Sequence, residues 1–407
     1  MFDYDEYLLM ENPFPITASI NPFDFDPRMN GTIFLKEIFE DAIQDLSERT
    51  KRGINVIYIS GAQQERGVGK SALMIYQWRE CKKLPDSTSL YIRLKDDDKP
   101  KDICRKIVEQ WHTDETLWSV FQKLFLDYCA EKSNPMLRYE AVKYLFDENP
   151  NLCERLPLTL YTQIRDAKTV AKQFSRYLQQ NTRIDPKNIE PLVLMYLTEP
   201  NSYEDILSKS STDTVGVYSD LLKLLEISGF KHHYIFLDQF EDLITGSSSK
   251  QGIAKISLEL KNIVLASSRK ASLYLTLHPR SEMLLSGMEA KDLTGIAPLD
   301  TIRRVNVMVL DRKGDQAAKL AQAYMDHYRT KVPPYPTYPI EEELVNFISF
   351  LEGGNIRSLL QNLYNLIEYG TLKELTEITM EYALENQEEV LGKEVNKKQI
   401  DRFQMRK

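Results

Sequence analysis

Gly67-Val68-Gly69-Lys70-Ser71 sets two permissive glycines, an ammonium group and a hydroxyl in one unbroken run. Glycine lets a backbone come close to a ligand, and the free N–H groups at a helix start face an anion. Lysine reaches along a chain of phosphates, and a serine hydroxyl can hold Mg2+. The full pattern for such a cradle is G-x-x-x-x-G-K-[ST]. Here Gln64 stands where the first glycine belongs, and the nearest earlier glycine is Gly61. The expectation is a phosphate cradle with a lengthened entry, hinged at Gly61 and running through Ala72 into a helix. The plain alternative is a surface turn.

A cradle of this kind needs a carboxylate at the end of a neighbouring strand to position the metal. "YIFLDQFEDL" supplies one, four apolar residues and then Asp238, so Ser71 and Asp238 are the expected Mg2+ ligands. Gln239 follows, where a glutamate would activate a water. A neutral amide hydrogen-bonds that water but cannot take its proton. Either Glu241 substitutes through a curled strand end, or Glu241 and Asp242 only cap the next turn. Nucleotide binding is therefore expected ahead of fast hydrolysis. Farther along, Asn355 is a fitting N-cap and puts Arg357 in the first turn of a helix, where a guanidinium could meet a phosphate. The competing reading is a solvated arginine on a core helix.

These groups work only if strands and helices deliver them. "INVIYIS" (54–60), "SLYIRLK" (89–95), "HHYIFLD", "ASLYLTLHP" and "RRVNVMVL" are short apolar runs suited to buried strands, separated by helical patterns. They predict an α/β fold with a parallel five-stranded sheet covered on both faces. The expected organisation is an extended arm over 1–31, a first core segment over 32–100 and a helical insertion over 101–215. A second core segment over 216–310 and a helical lid over 311–391 follow, and then a polar, mildly basic tail over 392–407. A helix is expected over "TIFLKEIFEDAIQDLSERT", with Phe34, Ile38, Ala42 and Leu46 spaced by four. The insertion's Trp111, Trp118, Phe121, Phe125 and Tyr128 sit at helical spacing and read as core.

Composition narrows the function class. The chain is 42% hydrophobic and 28% charged, which is ordinary for a globular protein of its length. A net charge of −8 argues against broad nucleic-acid binding, leaving DNA a partner only through a local basic patch. Four scattered cysteines (Cys81, Cys104, Cys129, Cys153) without C-x-x-C spacing suggest reduced, buried thiols. The acidic start MFDYDEYLLMENPF does not read as a signal peptide, and no apolar run reaches the roughly 18 residues of a membrane span. A cytoplasmic protein without membrane contact is the expectation.

Taken in order, "NPFP", "RGVGKS", "FLDQFEDL" and "GGNIRSLL" resemble the AAA+ superfamily. The specific likeness is to its initiator-like clade of origin-recognition and cell-division-control ATPases and their archaeal and bacterial relatives. The resemblance covers about 12–94 and 217–391. It implies a P-loop NTPase fold, bound ATP and Mg2+, and a nucleotide held by Gly67, Val68, Gly69, Lys70, Ser71, Ala72 and, from the lid, Arg357. It implies sensor 1 at Thr276 or His278, and an arginine finger serving a neighbouring subunit at Arg303 or Arg304. Initiators carry a DNA-binding winged helix after the lid, and the stretch after Leu391 is expected to be too short for one. A comparable helical insertion occurs in ATPases of microbial conflict and phage-defence systems.

The expected function is an ATP-binding switch with slow or partner-stimulated hydrolysis, in a DNA-related or phage-defence assembly, meeting a protein partner or copies of itself. The alternative is a non-hydrolysing scaffold that acts through its helical insertion. A DNA-loading role has support only from Lys397, Lys398, Arg402, Arg406 and Lys407, which also read as a solvated terminus.

Overall fold

Alternating side chains divide the sheet's residues between two cores. In the computed structural model, β1 (Val56–Gly61), β2 (Ser87–Arg93), β3 (His232–Asp238), β4 (Ala271–Leu277) and β5 (Arg304–Val307) pair in the order β2-β3-β4-β1-β5, every pair parallel. The structure describes residues 4–17, 20–53, 56–61, 67–95, 97–99, 102–132, 167–198, 213–240, 242–243, 250–268, 270–277, 304–307, 310 and 315–405.

Val56, Tyr58, Ile235, Leu237, Leu273 and Leu275 point to one face; Ile57, Ile59, Tyr234, Phe236 and Tyr274 point to the other. This is the period-two pattern of a strand with apolar cover on both sides. The second face is covered by α1 (Glu40–Lys51) and α2 (Lys70–Lys82). On the first face pack α3 (Asp102–Thr113), α4 (Thr116–Lys132), α5 (Ala167–Thr182), α6 (Pro186–Thr198), α7 (Thr214–Ile227) and α8 (Lys250–Ala266).

The helices of the expected insertion therefore share one unbroken apolar core with the sheet. Trp111, Phe121, Phe125 and Tyr128 are buried in it, and Trp118 packs against its edge. Trp111 stacks on Tyr218 at 5.5 Å and 6° and meets His233 edge-on. Asp220, itself buried, accepts hydrogen bonds from Asp185 N–H (3.0 Å), Asn188 Nδ2 (2.8 Å) and Lys223 Nζ (2.8 Å), which pins the start of α6 to α7.

Burial keeps His233 neutral. Its pKa is pushed down to about 3, first by desolvation and then by His232 and Lys270, while Thr88 Oγ1 lies 2.9 Å from Nδ1. An unfolded histidine takes up a proton below about pH 6.5 and the folded one does not until far lower. The depressed pKa thus leaves stability undiminished above pH 6.5 and lowers it progressively as pH falls toward 3. Its contribution to the slope is up to about 1.4 kcal/mol per pH unit. His233→Gln is expected to flatten the fall in denaturant-measured stability between about pH 6 and pH 4. A slope identical to wild type would show that His233 does not set it.

The helices α9 (Gln316–His327), α10 (Glu342–Leu351), α11 (Ile356–Leu372), α12 (Met380–Glu385) and α13 (Gln387–Leu391) enclose a separate apolar cluster. The N-terminal arm contributes to it directly, through Tyr7, Leu9 and Phe14. Asn12 Nδ2 donates to Tyr364 O (3.1 Å) and to Glu368 Oε1 (2.7 Å), and Arg329 Nη1 donates to Tyr7 O (2.9 Å). From Ile20 the arm crosses to the sheet side, where Arg79 Nη1 and Nη2 hold the carbonyls of Gly31 and Asn30.

Two expectations about helices need correction. The helix expected from Thr32 begins as a 3-10 turn at Lys36, and α1 itself starts at Glu40. Phe34 lies outside it, stacked at 4.9 Å on both Phe39 and Tyr76. The expected polar tail contains a docked helix, α14 (Lys397–Gln404), opened by a reciprocal Asn396–Gln399 capping box. Val395 and Phe403 are buried against Phe347, with Phe403 at 5.1 Å from that ring. The apolar residues are few, but they fall on one face, and the basic residues share the turns between them. Arg406 and Lys407 lie outside the described residues. Among the described residues, no helix is long and apolar enough to cross a membrane.

Candidate functional site

The carboxyl ends of β2 and β3, the glycine turn with the start of α2, and the start of α11 converge on one cavity of about 470 Å3. Gly67, Gly69, Lys70, Ser71 and Ala72 line it, with Asp238, Gln239, Asp242 and Arg93 on the strand side and Ile356, Arg357, Leu360 and Gln361 on the helical side. Val68 points away into the core and is fully buried.

Glycine is required in this turn. Gly67 and Gly69 have φ of +91° and +94°, in the left-handed region. A Cβ on Gly67 would lie 2.5 Å from Asn355 Oδ1 and 2.7 Å from Arg357 Cβ, and one on Gly69 would lie 2.6 Å from Phe39 Cζ. Arg357 N–H also donates to Gly67 O at 3.2 Å. Asn355 caps α11 through Ser358 N–H (3.2 Å). The helical cluster thus docks on the glycine turn itself. Gly67→Ala is expected to cost about 1–3 kcal/mol and to speed amide exchange over residues 355–360. Gly53→Ala is the control, since Gly53 has φ +63° but nothing within 4 Å of a new Cβ. Equal effects of the two substitutions would mean that the docking contact carries no energy.

Ser71 Oγ donates to Asp238 Oδ1 at 3.0 Å, and Tyr91 Oη donates to Asp238 Oδ2 at 2.6 Å. Burial, together with the charge of Asp238, raises the Tyr91 pKa well above its usual value, so the phenol stays a donor. Lys70, first residue of α2, is only 7% exposed. Gln239, next after Asp238, has φ +58°, a strained backbone for a residue with a side chain. Its Oε1 accepts from Arg93 Nε at 2.8 Å. Among the described residues lining the cavity, Lys70, Arg93 and Arg357 are set beside Asp238 and Asp242, while Arg28 is ion-paired with Asp26 and Glu11. The positive excess suits an anion.

The remaining expected site residues fall elsewhere. Thr276 on β4 is buried, and its Oγ1 lies 3.4 Å from Phe240 N–H; it braces the turn after Asp238 and does not line the cavity. Arg304 opens β5 at the level of Tyr58 on β1, below the strand ends where the cavity lies. Gln64, Glu241, His278 and Arg303 lie outside the described residues.

The sequence pointed to the arm but not to its share of the cavity wall, and it gave no role to Arg93 or Tyr91. Arg93 had a visible signal, a charge closing an apolar strand. Pro15, Thr17, Ile20 and Arg28 of the arm also line the cavity. Arg28 is held by Asp26 (2.7 Å) and Glu11 (3.2 Å) and lies over the Tyr328 ring.

No family model and no curated protein matches this chain.

Proposed function

We propose that this chain binds a nucleoside triphosphate, ATP, together with Mg2+ in the cavity between the sheet and the helical lid, and works as a nucleotide-dependent switch. The observation that carries this reading is the Ser71–Asp238 contact at 3.0 Å, set beside a glycine turn that has no room for a Cβ. Oxygen donors of this kind suit Mg2+, which takes few protein ligands and fills its shell with water and phosphate oxygens. Bound there, the metal would offset phosphate charge. Lys70 would reach the phosphates from the start of α2, and Arg357 would meet them from the lid.

The other half of the cavity is apolar. Ile33, Phe34, Leu35, Phe39, Leu320, Tyr324 and Leu360 line it, a wall suited to a flat aromatic base. Because Arg357 rises from the helix that docks on Gly67, a ligand touching both would change how the lid sits. Turnover is expected to be slow. Gln239 has no proton-accepting charge, and its Oε1 is engaged by Arg93. The AAA+ resemblance of the sequence supports the same reading.

The test is equilibrium binding of ATP to the purified protein with Mg2+, alongside phosphate release. Saturable, Mg2+-dependent binding with slow release is expected. Absence of binding would overturn the reading and move attention to the helices between 102 and 227 as a scaffold surface.

A further inference from the structure

We propose that Arg93 is the residue that distinguishes a triphosphate from a diphosphate, and that Gln239 is its neutral positioning partner. This rests on the nucleotide-binding reading above and deepens it.

Strand order fixes where each group meets the ligand. The glycine turn follows β1. Ser71 reaches Asp238 at the end of β3, and Arg93 closes β2, the next strand outward, in register with Asp238. A phosphate chain anchored on the Gly67–Ser71 turn passes the Ser71–Asp238 pair before it meets Arg93. Arg93 is therefore placed for the terminal phosphate, and a diphosphate would end short of it. Its guanidinium is a planar fork suited to two phosphate oxygens.

The partner chemistry explains Gln239. Arg93 Nε donates to the Gln239 carboxamide oxygen at 2.8 Å. A neutral acceptor orients the fork without adding negative charge to the cavity wall. A glutamate at this position would add that charge and draw the guanidinium into an ion pair, in competition with phosphate. The left-handed backbone at Gln239 is what turns the residue toward Arg93 immediately after the strand ends. Such strain persists where the surroundings hold it in place, and functional sites are where it collects. On this account the glutamine belongs to a matched pair and is not a decayed base.

The experiment is parallel titration of ATP and of ADP, each with Mg2+, into the full chain and its Arg93→Gln, Arg93→Lys and Gln239→Glu variants. Arg93→Gln is expected to weaken ATP binding about tenfold or more while ADP stays within about twofold. Arg93→Lys keeps the charge and loses the fork, and should fall between. Gln239→Glu should weaken ATP more than ADP, and it should not speed phosphate release. Thermal unfolding of each variant serves as the check on folding; if Arg93→Gln does not fold, Arg93→Lys and Gln239→Glu carry the test. An unchanged ATP-to-ADP affinity ratio in the Arg93 variants, an equal loss of both ligands, or tighter ATP binding by Gln239→Glu would overturn the proposal. Wild-type protein that binds neither nucleotide would instead overturn the nucleotide reading itself.

Discussion

Lys70→Ala is expected to abolish measurable ATP binding, with affinity falling about a hundredfold or more. The size follows from where Lys70 sits. It is the first residue of α2, behind the left-handed Gly69, and lines the cavity together with Ser71 and Ala72 of the same helix start. It is 7% exposed, so little water screens it from a bound phosphate. A charge-assisted hydrogen bond contributes roughly twice what a neutral one does, and the buried setting raises this further. The fold should tolerate the change. Arg93 and Arg357 remain on the cavity wall with Asp238 and Asp242, so losing one cation leaves the two signs matched among the described lining residues outside the Arg28 ion pairs. Titration of a fluorescent ATP analogue with Mg2+, paired with a denaturant melt, reads both quantities. Binding by Lys70→Ala within about threefold of wild type would show that ATP is not held by Lys70 and that the nucleotide lies elsewhere than the Gly67–Ser71 turn.

What the sequence made legible was what local pattern specifies. Gly67, Gly69, Lys70 and Ser71 are adjacent, and their meaning depends only on a strand before and a helix after. Asp238 was legible because four apolar residues run into it, and Asn355 because an N-cap is a local event. The Arg93–Gln239 bond spans 146 positions and depends on the parallel register of β2 with β3. No periodicity in a single sequence reports which strand end lies beside which, so the charge closing β2 was visible but its partner was not. Phe34 shows a competing force. Its spacing from Ile38 suits a helix, but stacking between Phe39 and Tyr76 holds it out, and a 3-10 turn takes up the difference. The helix over Lys397–Gln404 was hidden for another reason, since Val395, Ile400 and Phe403 are too few to register as an apolar stripe until Phe347 and Phe350 receive them.

Phe14→Ala should produce the other large effect, and through a different route. Phe14 is fully buried among the helical lid residues, with its ring 6.1 Å from that of Tyr324. Truncating a buried phenylalanine costs about 3–5 kcal/mol. That cost falls on the cluster that carries Arg357, which is separate from the sheet's own cores. The neighbouring anchors are polar: Asn12 on Tyr364 O and Glu368, and Tyr4 Oη on Glu368 Oε1 at 2.6 Å. They orient the arm, but Phe14 supplies the apolar burial next to the point where the arm turns toward the cavity at Pro15 and Thr17. The same substitution should therefore loosen both the lid and the arm's share of the binding wall. The expected signature is a lowered unfolding midpoint, faster amide exchange over residues 4–17 and 356–372, and ATP affinity reduced about tenfold. Exchange over β3 and β4 should stay near wild type, because those strands bury their residues in the other two cores. Equal acceleration across sheet and lid would mean that the two clusters unfold together and that the arm does not act as a strap specific to the lid.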